Sequence, residues 1–421
     1  IGKGLLWWKW RYQNAGPAIL DLFGEIAHGA AEKFRMAIVA GEYAGGDARE
    51  ERLKKVEEQL AQDSVLRKDI ALLRQLKDPD AAAPDAATVA EFKDRHGWFA
   101  RAALQGRDAA ADAAFRKETE SGGARIVIAL AVFGIGFILA IIAGLAALIL
   151  LIVRAATGSI RARFVRTPPE LGSDGGLWIE TFGAFLAGFL VVHLIGAGLD
   201  KLAAPNAAWP TAAVLLMQWT LVGVIFWPRL RGMSRERFLG ELGWHRGRGV
   251  MHEVGCGVVG YLAGLPIYFM VAAIVTVVSI LIDALRKGAG GGEDAPLPDN
   301  KIFDLIGGSS GWMLVLLGTL IVCWAPLVEE SIFRGALFRH IRARVGGPVG
   351  LVVTVAVVAS AFAIAHAYVL AGVIMVATLG GIFALMREWR GSLIAPMTAH
   401  CLHNSVVFAL LLSMISVMQG N

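Results

Sequence analysis

The chain has 421 residues, 56% hydrophobic and 18% charged, against roughly 45–50% and about 25% in ordinary soluble domains, which excludes a purely soluble single domain. Residues 1–125 hold 20 Lys and Arg against 20 Asp and Glu, so the formal net charge of +5 falls wholly on residues 126–421; cations in membrane-flanking loops explain such a balance, and it gives no ground for a nucleic-acid partner. Cys256, Cys323 and Cys401, an odd number without C-x-x-C spacing, offer neither a disulfide framework nor a zinc knuckle.

The first 125 residues read as a polar helical region outside the membrane, and the first residues do not show the layout of a signal peptide. Leu53, Val56, Leu60, Leu66, Ile70 and Leu73 recur at mostly helical spacings, which predicts one charged helix with a single apolar stripe. Asp78-Pro79-Asp80 ends it. Thr88 and Glu91 fit a capping box opening a second helix whose Val89, Phe92 and Phe99 face the first. The cluster Trp7, Trp8, Lys9, Trp10 and Arg11 suits either a helix or an interfacial anchor, and the polar stretch 106–125 reads as a linker.

From Ile126 the pattern changes to long apolar runs. A hydrocarbon layer of about 30 Å needs about 20 helical residues, and runs of about that length fall at 126–153, 177–199, 210–228, 252–282, 312–330, 348–367, 368–386 and 393–417. The fold class is therefore all-α, a polytopic membrane bundle of about eight spans. Its expected organisation is the N-terminal region 1–125, four spans over 126–309 and four more over 310–421. Trp178, Trp209, Trp227, Trp312 and Trp389 fall near span ends, where indoles favour the interface. The loops 154–177, 229–249, 335–348 and 387–392 carry 15 Lys and Arg, against 4 in the alternate loops 199–209 and 283–311, so the rich set is expected in the cytoplasm. Gly288 to Gly292, followed by Glu293, Asp294 and Pro296, reads as a flexible outer loop.

Ionisable groups inside apolar spans are costly and mark functional candidates. Three clusters qualify. In Glu329-Glu330-Ser331-Ile332-Phe333-Arg334, Glu330 and Arg334 share a helical face and can pair, whereas Glu329 points about 100° away and lacks that partner. The plainer alternative is a wet span end marked by charges. Phe362 lies one turn before His366 in an apolar helix, a pattern that a core histidine would also give. His400 and Asn404 present hydrogen-bonding groups from one face of the last helix, as catalytic donors or as glue between helices. His403 adjoins them. His193 sits in the second span with a structural role expected, and His252-Glu253 reads as a polar pair opening a helix, because H-E-x-x-H is absent.

Taken together, E-E-x-x-x-R, F-x-x-x-H and H-x-x-x-N in this order resemble the CAAX-processing and bacteriocin-processing (CPBP, or Abi) intramembrane endopeptidases, which include the type II CAAX prenyl endopeptidases. The resemblance covers roughly residues 310–418. It implies that Glu329 and His366 activate a water, that His400 and Asn404 stabilise the oxyanion, and that Glu330 with Arg334 shapes the site; by helical position Phe362, one turn before His366, and His403, about 60° round the helix from His400, are expected behind them. The family is commonly called metalloprotease. No cofactor is required by a glutamate-activated water; zinc is the other option, with Glu329, His366 and His400 as its ligands.

The expected activity is thus peptide hydrolysis by a multi-pass integral membrane protein, of the bacterial plasma-membrane type, acting on a peptide or membrane-protein substrate within the lipid bilayer. A catalytically silent scaffold or an immunity or regulatory protein of the same fold is the alternative, and a transporter a third. One geometric conflict stands. With a fifth span ending at 330, Glu329 and His400 fall towards the cytoplasmic side, whereas His366, about 27 Å along its helix from Pro348, falls near the opposite surface.

Overall fold

The computed structural model describes residues 2–12, 29–61, 64–158, 176–204, 207–288, 305–306, 309, 311–366 and 370–419. Among them every regular element is a helix. The chain divides into two compact units, one of Ile1–Phe137 with Met414–Asn421 and one of Ile138–Ser413.

The first unit contains α1 (Gly2–Tyr12), α2 (Ala30–Ala44), α3 (Gly46–Glu57), α4 (Val65–Lys77), α5 (Ala86–His96) and α6 (Trp98–Ala103), with the start of α7 (Ala109–Ala156). Phe34, Ile38, Leu53, Ile70, Leu73 and Phe92 are at most 1% exposed and form its core; full burial of such a side chain stabilises by about 1.5–3 kcal/mol. The single stripe expected over Leu53 to Leu73 is divided between α3 and α4. Ser64 starts α4 by accepting from the Leu66 N–H at 3.3 Å, and Arg74 forks back onto Glu57 at 2.8 and 2.9 Å. The cap expected from Thr88 and Glu91 is supplied instead by Asp85, whose carboxylate accepts from the Thr88 N–H at 2.9 Å and its hydroxyl at 2.6 Å. Trp10 packs against the core, and the guanidinium of Arg116 lies 5.3 Å from its ring. A buried polar cluster completes the unit: Asp69 accepts from Arg95 at 2.6 and 3.1 Å and pairs with His96 Nε2 at 2.9 Å.

The stretch 109–125 is the first part of α7 rather than a linker. Its run of alanines favours helix, no proline interrupts it, and Asp108 accepts from the N–H groups of Ala110 and Ala111 at 2.9 and 3.2 Å.

Among the described residues, eight helices are long and apolar enough to cross a membrane: α7, α8 (Leu177–Leu202), α9 (Trp209–Leu230), α11 (over Val250–Arg286), α12 (Gly311–Arg342), α13 (Gly347–Ala365), α14 (Leu370–Arg390) and α15 (over Ile394–Ser413). The protein is a multi-pass membrane protein. A short helix, α10 (Arg235–Leu242), lies between α9 and α11. Trp209 and Trp312 are exposed as expected of interfacial indoles, but Trp178 is fully buried and donates to Glu241 Oε2 at 2.7 Å. His193 keeps a local role, with Nδ1 on the Phe189 carbonyl at 2.8 Å. Most of the loop 154–177 and the run after Gly288 lie outside the described residues.

The main difference from expectation is the length of the fifth span. It continues to Arg342, so Glu329, Glu330 and Arg334 stand within the helix rather than at its wet end. The charges that suggested an end are paired inside the protein: Glu330 and Arg334 bridge each other at 0% exposure, and Arg342 closes on Glu388 Oε1 at 3.0 Å. Glu329 thereby sits 13 residues, about 20 Å, before the helix end, near the depth of His366, 19 residues or about 28 Å beyond Gly347.

Candidate active site

α12 is not a uniform α-helix. Leu320–Trp324 and Glu330–Leu337 are π-helical, with the α-helical turn Ala325–Glu329 between them; such wide turns concentrate at functional sites. Pro326 explains the first. Lacking an N–H, it returns no bond to the preceding turn, and the Ile321 carbonyl, five residues earlier, accepts instead from Asn404 Nδ2 of α15 at 2.8 Å.

Glu329 closes the α-helical turn, and its Oε2 is buried without a hydrogen-bond partner. It lies 3.8 Å from His366 Nε2 and 3.8 Å from His400 Nε2. His366 caps α13, where its Nδ1 meets the Phe362 carbonyl at 2.7 Å. A carbonyl only accepts, so Nδ1 carries the proton and the neutral ring keeps its lone pair on Nε2, towards Glu329. His400 Nδ1 is 2.9 Å from Glu330 Oε1, an oxygen that also accepts from Arg334 Nη1 at 3.0 Å. With Arg334 against it, Glu330 is an ionised acceptor and His400 donates to it through Nδ1. Two imidazole nitrogens thus face one carboxylate oxygen across gaps longer than a hydrogen bond.

Aromatic rings hold this set. Phe362 lies 4.5 Å from the His366 ring, 6.0 Å from the His400 ring and 4.1 Å from the Arg334 guanidinium carbon, while Phe383 of α14 stacks on His400 at 5.3 Å. Arg334 Nη2 donates to the Gly380 carbonyl at 3.1 Å. Glycine suits this close approach, since a Cβ would stand 3.1 Å from the Ala359 backbone. His403 lies instead between Tyr261 and Tyr268 of α11, at ring distances of 6.1 and 5.9 Å.

Buried arginines sink the helix ends towards the site. Arg387 bonds the carbonyls of Arg334, Glu241 and Gly391, and Arg390 forks onto Glu253 at 2.8 and 2.6 Å. Glu253, half of the polar pair that opens α11, is therefore 0% exposed. The turn before α15 is tucked under the 243–249 loop: Leu393 N–H donates to the Gly243 carbonyl at 2.9 Å and Ser392 Oγ to the His245 carbonyl at 2.8 Å. This lets His400, only six residues into α15, reach Glu329.

Sequence reasoning thus named Glu329, His366 and His400, which the structure brings together, and Glu330 with Arg334, which it pairs. Asn404 is placed on Ile321. Phe383, Gly380, Arg387 and the Arg390–Glu253 pair were missed; the arginines four and seven residues after Phe383 were visible but read as loop charges.

Zinc takes nitrogen and oxygen ligands at about 2.0–2.2 Å, three from the protein with one open position where it is catalytic. His400, with Nδ1 on Glu330 and Nε2 towards Glu329, is oriented as a zinc-ligating histidine would be, but among the described residues no three His, Cys, Asp or Glu side chains are arranged to hold a metal ion.

Residues 311–406 match the model of the family described as type II CAAX prenyl endopeptidase Rce1-like. That segment is similar to the Rce1-like family. No curated protein and no solved structure matches the chain significantly. The Rce1-like segment runs from α12 into α15 and so contains Glu329, Glu330, Arg334, His366, His400 and Asn404, and the family implies a protease embedded in the membrane and acting on a peptide.

Proposed function

We propose that the protein is an intramembrane endopeptidase in which Glu329 is the general base. The observation that carries this reading is the buried, unpartnered Glu329 Oε2 facing His366 Nε2 and His400 Nε2 at 3.8 Å each. A buried polar atom without a partner is unusual away from functional sites.

A water held between Glu329 Oε2 and His366 Nε2 gives a proton to the carboxylate as its oxygen adds to the peptide carbonyl. His366 orients that water, since its Nδ1 is fixed on the Phe362 carbonyl. The developing oxyanion needs donors. His400, protonated with support from Glu330 at Nδ1, donates through Nε2; Asn404 keeps one amide hydrogen beyond the one on Ile321 and serves as the second donor. Collapse of the tetrahedral intermediate breaks the C–N bond, and the proton held by Glu329 passes to the leaving amine. Glu330 and Arg334 position His400, and the aromatic walls keep bulk water from weakening these contacts. The substrate is a membrane-tethered peptide; the family description extends this to prenylated CAAX termini.

Cleavage of a peptide library by the purified protein in detergent tests it. Glu329→Gln is expected to lower kcat by about 10²–10⁴-fold, the range for loss of a general base, with the melting temperature unchanged. Wild-type turnover by Glu329→Gln would refute the role.

A further inference from the structure

On the far side of α14 from the catalytic residues an apolar groove of about 250 Å³ runs between α7, α11 and α14, lined by Leu151 and Ala155, Gly260 and Gly264, and Ile382 and Trp389 among others. Gly260 and Gly264 let α11 lie close to α14, since a Cβ at either would meet Met386 or Ile382 at 2.8–3.0 Å. Every lining residue belongs to a membrane-spanning helix, so what surrounds the groove is lipid. At one end stand Ala155 and Trp389. Beside them Arg390 is committed to Glu253, whereas Arg154 is exposed and, among the described residues, makes no ion pair.

We propose that this groove holds one acyl chain of an anionic bilayer phospholipid, with its headgroup on Arg154. The volume lies just under that of common ligand pockets, about 300–1,000 Å³, which suits one chain rather than a whole lipid. An acyl chain leaves equally apolar surroundings to enter it, so filling the groove gains packing but little hydrophobic free energy. Discrimination between lipids therefore rests on charge at Arg154. The other face of α14 carries Gly380 and Phe383, against Arg334 and His400, so the bound chain would brace the wall of the site.

Native mass spectrometry of the full chain in detergent, titrated with dioleoylphosphatidylglycerol or dioleoylphosphatidylcholine, tests the proposal. The wild type is expected to keep one phosphatidylglycerol, bound about fivefold more tightly than phosphatidylcholine, the ratio that one favourable charge contact supplies. Arg154→Gln, an exposed change that leaves the packing alone, removes the preference. Ala155→Phe fills the groove and abolishes the one-to-one adduct with either lipid while melting like wild type in lipid-free detergent; should it misfold, Arg154→Gln still decides. Absence of a one-to-one adduct, equal affinity for the two lipids in the wild type, or a preference untouched by Arg154→Gln would overturn the proposal. So would a prenylated peptide displacing the phospholipid from the wild type. Failure here leaves the peptidase reading standing, because no groove residue belongs to the catalytic set.

Discussion

Adjacent carboxylates with opposite fates are the chemical core of the site. Glu330 is bound at Oε1 by Arg334 at 3.0 Å and His400 at 2.9 Å, while Glu329 pairs with no cation and turns its unbonded Oε2 to two imidazole nitrogens at 3.8 Å; Glu330 Oε2 is also without a hydrogen bond. Both atoms of the Glu330–Arg334 pair are fully buried, and removing one partner of such a pair strands the other charge at a cost of about 3–5 kcal/mol. Arg334→Ala is therefore expected to lower the melting temperature in detergent sharply and to lose activity with it. Glu329→Gln replaces an unpaired group and leaves melting alone. Equal melting of wild type and Arg334→Ala would contradict the structural role. Metal dependence is decided at the same scale: with no three-ligand group among the described residues, dialysis against a chelator is expected to leave cleavage unchanged, and stoichiometric zinc with chelator-reversible loss would reassign Glu329, His366 and His400 as ligands.

At the scale of the element, α12 matters most, because its two π-helical segments frame Glu329. Pro326 and Asn404 act together there. The proline leaves a carbonyl without its helical partner, and the asparagine takes it up. Pro326→Ala restores an N–H that can bond the Val322 carbonyl four residues earlier, tightening the turn and shifting Glu329. A misplacement of about 1 Å costs on the order of a hundredfold in rate, so kcat is expected to fall towards that extent while the melting temperature holds or rises; unchanged kcat would show that the wide turns do not position the base. None of this was legible in the sequence. Apolar runs fix where spans lie, and all eight were readable from length alone. The interruption within a span is not, since a π-turn depends on a partner 78 residues from Pro326. The same blindness placed the end of α12 at 330. Charges ordinarily mark water, and only the fold shows that Glu330, Arg334 and Arg342 find their partners inside the protein.

Across the whole molecule two units do different physical work. The unit of Ile1–Phe137 and Met414–Asn421 builds a small core around Phe34, Phe92 and the Asp69–His96 contact. Burial pushes the His96 imidazole below its ordinary value, with Asp69 opposing. A histidine depressed in the fold binds protons more readily once unfolded, so its contribution is present above pH about 6.5, the unfolded value, and is lost as pH falls from there through the depressed folded value. The melting of this region, followed by hydrogen exchange in the full chain, is expected to weaken between neutral and acid pH, and His96→Phe to flatten that dependence; an unaltered profile in His96→Phe would remove His96 as its source. The helix stripes of this unit were readable, but its caps and breaks were not, because Asp85 and Thr88 both suit a cap and only local geometry chooses. In the unit of Ile138–Ser413, the motifs on α12, α13 and α15 told which side chains to bring together; how helices of different depth achieve it needed the buried Arg387 and Arg390 and the tucked turn before α15.

The most direct test of a shared water is a double-mutant cycle on peptide cleavage with Glu329→Gln and His366→Gln. Groups that act as one unit are strongly non-additive. The double variant is therefore expected to be no slower than the slower single variant, each having lost about 10²-fold or more in kcat. Losses that multiply, or a single variant that retains wild-type kcat, would contradict a water activated jointly by Glu329 and His366.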